Sequence, residues 1–144
     1  MVSQENPDLR TAISLLTYAN TTSLSSTILT AVLNSPHLHS LIETNSQRLE
    51  ASYTLFCKGL ERLEIPYISA THGIFVFVRI ARFAKSIEEE DEVFGRLQAQ
   101  GVTVSPGRLY GVPGGEFGWA RITFAMGVER VELMLERIER ALGG

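Results

Sequence analysis

A chain of 144 residues, 44% hydrophobic and 20% charged, has the composition of an ordinary globular domain near the usual single-domain size. Thirteen basic residues against sixteen acidic ones leave a net charge of -3, and the one dense cluster, Glu88-Glu89-Glu90-Asp91-Glu92, is acidic, which argues against nucleic acid as a partner. A single cysteine, Cys57, excludes an internal disulfide, no stretch approaches the roughly 18–20 consecutive apolar residues of a membrane span, and the polar start of the chain lacks a secretory pattern, so a soluble protein in a reducing, cytoplasmic setting is expected.

Residues near 7 to 34 read as two helical stretches broken by a turn around Asn20-Thr-Thr-Ser, with Ile13, Leu16 and Tyr18 on the first and Leu24, Ile28 and Val32 on the second. Ser35-Pro36 supplies an N-cap followed by proline at the first helical position, where its missing N–H costs nothing. A long helix to about Leu63 should follow. Its stripe runs through Ile42, Leu49, Phe56, Leu60 and Leu63, with Asn45 and Tyr53 between them. After Ile65-Pro66 the period changes. Gly73-Ile-Phe-Val-Phe-Val-Arg-Ile is rich in β-branched and aromatic residues, and its near-continuous apolar character predicts a strand buried on both faces.

Ser86 with Glu89 three residues later forms a capping box, and the acidic run behind it suits the positive end of a helix dipole. That run is read as helix-start chemistry and not as a binding site. The helix should end at Gly101, with Val102-Thr-Val-Ser-Pro-Gly a short strand entering a turn and Trp119 to Phe124 a further strand. Val128, Val131, Leu135, Ile138 and Leu142 recur at steps of three and four and define a last helix, stopped by Gly143-Gly144. With no internal repeat and no linker, these elements predict an α+β fold: a small sheet of three or four mainly antiparallel strands with helices on one face, preceded by a helical segment.

Candidates for chemistry are few. His37 and His39 lie two apart and His72 is distant, which with one cysteine gives no metal-ligand spacing, so no metal site is expected. Cys57, between Phe56 and Lys58 in mid-helix, reads as a packing residue and not a nucleophile. The glycine-rich stretch from Gly107 to Gly118 holds neither a dinucleotide fingerprint nor a P-loop and reads as a turn-rich loop between strands. Arg121 stands out because it interrupts Trp119-Ala-Arg-Ile-Thr-Phe, an otherwise apolar or β-forming strand. An arginine there pairs with a local carboxylate, reaches a solvated edge, or faces a site that binds an anion.

From about Asn20 to the end, the order of signals resembles the carboxyl-terminal part of class I/II pyridoxal-phosphate aminotransferases of fold type I, especially the aminocyclopropane-carboxylate-synthase-like branch. The carrying residues are Asn45-Ser-Gln-Arg48-Leu49 with Tyr53, then Gly73-Ile-Phe75-Val-Phe-Val, then Gly101-Val-Thr-Val-Ser-Pro106-Gly107, then Gly118-Trp119-Ala-Arg121-Ile122-Thr-Phe124-Ala, then the final helix. The resemblance implies residues 1–35 as a helical segment from the junction of a large and a small domain, and 36–144 as the small domain. It implies that Arg121 binds the α-carboxylate of an amino-acid substrate, that Pro106-Gly107 turns the chain toward the active-site mouth, and that Tyr110 lies near it.

In that family pyridoxal phosphate is held by a large domain that precedes this region and supplies the Schiff-base lysine, an aspartate to the pyridine nitrogen, a stacking aromatic and phosphate-binding groups. Met1 is expected to fall just downstream of the lysine-bearing segment, and neither Lys58 nor Lys85 lies in the family's lysine motif. The expected function is therefore part of a pyridoxal-phosphate-dependent enzyme acting on an amino acid, with no cofactor bound by this chain alone and no turnover by it. Residues 7–34, exposing Leu15, Leu16, Leu24 and Ile28, are expected to be covered by self-association or by a partner chain. A non-catalytic interaction module derived from the same domain is the alternative, and an unrelated α+β domain with its own small-molecule pocket is a third reading.

Overall fold

The computed structural model describes residues 6–20, 22–112 and 115–143, with residues 18–20 as backbone only. Described residues up to Glu43 form one compact unit and those from Thr44 onward another.

The first unit is helical. α1 (Pro7–Asn20) is capped by Asn6, whose side-chain oxygen accepts the N–H groups of Asp8 at 3.0 Å and Leu9 at 3.2 Å. α2 (Ser23–Leu33) starts on Thr22, whose hydroxyl accepts from the Ser25 N–H. Thr21 of the sequence-read turn and the side chain of Tyr18 lie outside the described residues. α2 buries no residue, and Leu15, Leu16, Leu24 and Ile28 are 66%, 63%, 69% and 56% exposed. The Ser35 hydroxyl accepts from the His37 N–H as a cap should, but Pro36 and His37 form a turn and α3 begins only at Leu38. α3 (Leu38–Arg62) runs on into the second unit.

The second unit is built on a four-stranded antiparallel sheet of order β1-β2-β4-β3, formed by β1 (Tyr67–Ile68), β2 (Phe75–Val78), β3 (Ser105–Pro106) and β4 (Ala120–Thr123). One face is covered. Val76 and Val78 of β2 and Ala120 and Ile122 of β4 enter a single buried cluster with Phe56 and Leu60 of α3, Phe94 and Leu97 of α4 (Ile87–Ala99), and Val131, Leu135 and Ile138 of α5 (Val128–Leu142). The stripe read on α3 thus supplies the core at Phe56 and Leu60, with Leu49, Tyr53 and Leu63 packed against its edge. Cys57 of α3 is buried.

β2 departs from the expectation of burial on both faces. Val76 and Val78 point inward, whereas Phe75 remains 39% exposed and Phe77 is half-buried on the opposite side. An antiparallel strand puts alternate residues on alternate faces, and here the uncovered face is apolar too, so the sequence hides the alternation.

The acidic run also departs in part from its reading. Ser86 caps α4 by accepting the Glu89 N–H at 3.3 Å, while the Glu89 carboxylate accepts from the Lys85 N–H at 2.8 Å, one residue before the usual reciprocal partner. Glu88 lies in the first turn, its pKa lowered below the usual carboxylate range by backbone and Ser86 hydrogen bonds. Glu90, however, is 3% exposed and serves a different purpose, described below.

Candidate functional site

The face of the sheet opposite the core carries Arg121, the only arginine within a strand among the described residues. β4 alternates Ala120 and Ile122 inward with Arg121 and Thr123 outward, and the register sets Arg121 directly across from Phe77 of β2 on one side and Ser105 of β3 on the other. Phe75, across from Thr123, completes the row. Arg121 therefore rises from a patch of apolar and aromatic side chains.

Its guanidinium carbon lies 4.1 Å from the ring centroid of Phe75 and 4.2 Å from that of Tyr110. Both distances are well inside the range of about 6 Å over which a cation is attracted to a ring face. Tyr110 in turn meets Phe77 edge-on, with centroids 5.8 Å apart at 89°. No ion pair among the described residues includes Arg121, and its Nε is buried without a hydrogen-bond partner. A buried donor left unpaired costs about 1–3 kcal/mol, so the site gains if an acceptor arrives at the guanidinium edge. Two ring faces orient a planar cation, and a guanidinium so oriented has the fork geometry that pairs with a carboxylate through two parallel bonds.

Tyr110 reaches Arg121 because of how the chain leaves β3. Pro106 enters a 3-10 turn, Gly107–Tyr110, closed by Gly111 in the left-handed region at φ 77°. Gly107 donates its N–H to the Trp119 carbonyl at 2.7 Å. At the other end of the segment the Ala81 N–H donates to the Gly118 carbonyl at 3.1 Å, and Arg79 Nε donates to the Phe117 carbonyl at 3.2 Å. The sequence reading of this stretch as a loop between strands holds, with the helical turn as an addition. Residues 113 and 114 lie outside the described residues.

The loop is also tied to α4. Arg108 pairs with Glu90 and, at 2.7 Å, with Asp91, while Gly118 donates its N–H to the second oxygen of Glu90 at 2.8 Å. The hydrogen bond that Arg108 donates to Asp91 raises the Arg108 pKa; burial works against it and the bond to Glu90 adds to it. The middle of the acidic cluster is thus a loop anchor, a role invisible in the sequence because Arg108 lies 18 residues beyond Glu90.

The two lysines stand elsewhere. Lys58 is exposed on α3 in a groove with Glu132, Leu135 and Glu136 of α5, and Lys85 is exposed just before α4. His37, His39 and His72 are exposed, and among the described residues no three histidine, cysteine, aspartate or glutamate side chains gather as metal ligands. Among the described residues no helix is long and apolar enough to cross a membrane.

Comparison with known proteins matches residues 8–138 to the family model for aminotransferase class I and II. A probable aminotransferase of Aspergillus oryzae, aclI, is 38% identical over 99% of this chain and 34% of its own length. The human 1-aminocyclopropane-1-carboxylate synthase-like protein 1 is 30% identical over 69% of the chain and 20% of its own length. Among solved structures, an aromatic aminotransferase from Pyrococcus horikoshii superposes with a TM-score of 0.65 at 23% identity, covering 77% of this chain and 28% of that one. A Thermus thermophilus aspartate aminotransferase mutant gives 0.66 at 23% identity over 79% of this chain and 28% of its own. These likenesses to solved structures show a shared α+β fold. The chain spans about a third of the length of the curated relatives matched over their widest range.

Proposed function

The chain belongs to the class I and II aminotransferase family, and from that premise we propose that it is the small-domain part of a pyridoxal-phosphate-dependent enzyme acting on an amino acid, in which Arg121 receives the substrate carboxylate. The observation that carries this reading is the state of Arg121: held by Phe75 and Tyr110, without a carboxylate partner among the described residues, on the uncovered face of the sheet.

The described residues do not by themselves fit the cofactor. A phosphorylated pyridine aldehyde requires an amine facing it and donors for its phosphate. The face that bears Arg121 has no lysine among the described residues of its strands, and Lys58 belongs to a groove between α3 and α5. The cofactor is therefore assigned to another piece of protein, and this chain contributes substrate binding and orientation.

The same completing piece, or a second copy of the chain, is assigned to the exposed apolar surface of residues 7–34. Leu15, Leu16, Leu24 and Ile28 are joined there by Leu29 and Leu33, 57% and 59% exposed. A run of this size is more than the scattered apolar exposure of an ordinary surface. A non-catalytic interaction module would use that surface as well, but it would leave the unpaired Arg121 without an explanation.

The test is Arg121→Lys in the enzyme completed by a cofactor-bearing domain. Lysine keeps the charge and loses the fork, so one of two charge-assisted bonds worth about 1.5–3 kcal/mol is forfeited and kcat/KM falls roughly 10- to 150-fold. An unchanged kcat/KM would assign Arg121 a purely structural role.

A further inference from the structure

Glu90 shares the first turn of α4 with Glu88 and Glu89, yet those two are exposed to solvent and Glu90 is buried, which helix-start electrostatics alone does not explain. Burying a carboxylate is unfavourable unless both oxygens are partnered. Here both are, and the partners are informative. One oxygen takes the Arg108 guanidinium and the other takes the Gly118 N–H, so a single side chain holds the beginning and the end of the same loop. Between those two points the loop presents Tyr110, two residues from Arg108, against the guanidinium of Arg121.

We propose that Glu90 is a positioning residue for the Arg121 site, clasping the loop at Arg108 and Gly118 so that Tyr110 stays over the guanidinium. It touches neither Arg121 nor any ligand of it and acts through the loop. The consequence for substrate rests on the carboxylate role given to Arg121 above; the clasp itself does not.

Asp91 adds a second, exposed carboxylate to Arg108, but reaches only the near end of the loop. Loss of Asp91 therefore leaves both ends joined through Glu90, whereas loss of Glu90 leaves Arg108 on Asp91 alone and frees the Gly118 N–H. Tyr110 is 41% exposed and has no hydrogen bond among those described, so its place depends on the backbone that carries it and on contact with Phe77 and Arg121.

The experiment follows the Nε–Hε resonance of Arg121 in the nitrogen-15-labelled 144-residue chain, assigned by its disappearance in Arg121→Lys. A proton held over ring faces resonates upfield, and Tyr110→Leu gives the displacement that loss of one ring produces. Glu90→Gln, which keeps the shape and removes the charge, is expected to move the resonance in the same direction by at least half that displacement while the methyl signals of Val76 and Leu97 stay in place. Arg108→Met, at a side chain 38% exposed, tests the same clasp should Glu90→Gln fail to fold, with the same displacement expected. An Arg121 resonance that stays at its wild-type position in folded Glu90→Gln or Arg108→Met, or that Tyr110→Leu leaves unmoved, overturns the proposal. Failure of the carboxylate reading looks different: kcat/KM survives Arg121→Lys in the completed enzyme, and the resonance still follows Glu90.

Discussion

Gly118→Ala is expected to destabilise the second unit by about 2–5 kcal/mol, combining roughly 1–2 kcal/mol for placing an L side chain in the left-handed region with about 1–3 kcal/mol for overpacking. Gly118 sits at φ 88°, and a Cβ there would stand 2.1 Å from the Ala81 carbonyl oxygen, a backbone atom that cannot step aside without moving the chain. The displacement would also pull the Gly118 N–H from Glu90 and loosen the loop that carries Tyr110. Gly111→Ala is the internal control, because Gly111 has φ 77° with nothing within 4 Å of the added carbon and should cost only the conformational part. Urea unfolding of both variants separates the two contributions. Equal losses would mean that the close approach of Gly118 to Ala81 contributes nothing to stability.

Phe56→Ala is expected to cost about 3–5 kcal/mol, a large part of the roughly 5–15 kcal/mol by which a domain of this kind is stable. Phe56 is 0% exposed and belongs to the cluster in which α3, α4 and α5 meet the inner face of the sheet, so its removal leaves a cavity that three helices would have to close. Ile42 lies on the same predicted stripe of α3, yet is 57% exposed. Ile42→Ala should therefore stay within about 0.5 kcal/mol of wild type in the isolated chain. A denaturant midpoint for Phe56→Ala close to that of Ile42→Ala would contradict the assignment of Phe56 to the core.

The contrast between those two residues shows what the sequence could and could not reveal. Periodicity locates the helices, because burial of one face imposes the step of three and four that Val131, Leu135 and Ile138 keep in α5. It does not reveal where along a long helix burial begins, and the stripe of α3 continues apolar through Ile42, which the described structure leaves exposed. The exposed face of β2 is hidden in the sequence for a related reason. Phe75 and Phe77 are as apolar as the valines between them, and only the pairing with β4 shows that they flank an arginine instead of a second helical layer.

Arg121 stands out in the sequence because a charge inside an apolar strand needs a reason, whereas the contact of Tyr110 with its guanidinium is seen only in the structure. Phe75 reads in the sequence as a strand residue alone, and its contact with Arg121 depends on a register that spacing along one strand cannot supply. Glu90 was hidden inside an acidic run whose neighbours serve the helix start. Its burial follows from the loop folding back from Arg108 to Gly118, a long-range event with no local signature.

The proposed function divides the work: Arg121 on the sheet as the proposed carboxylate receptor, and the cofactor assigned to protein outside this chain. The measurement that bears on this division most directly is the visible absorbance of the chain with added pyridoxal phosphate, before and after borohydride, with mass spectrometry of the reduced product. Run alone and together with a cofactor-bearing domain, the account predicts a stoichiometric lysine adduct only on that domain and none specific to this chain. A stoichiometric adduct on Lys58 or Lys85 would contradict it and make this chain a cofactor-binding unit in its own right.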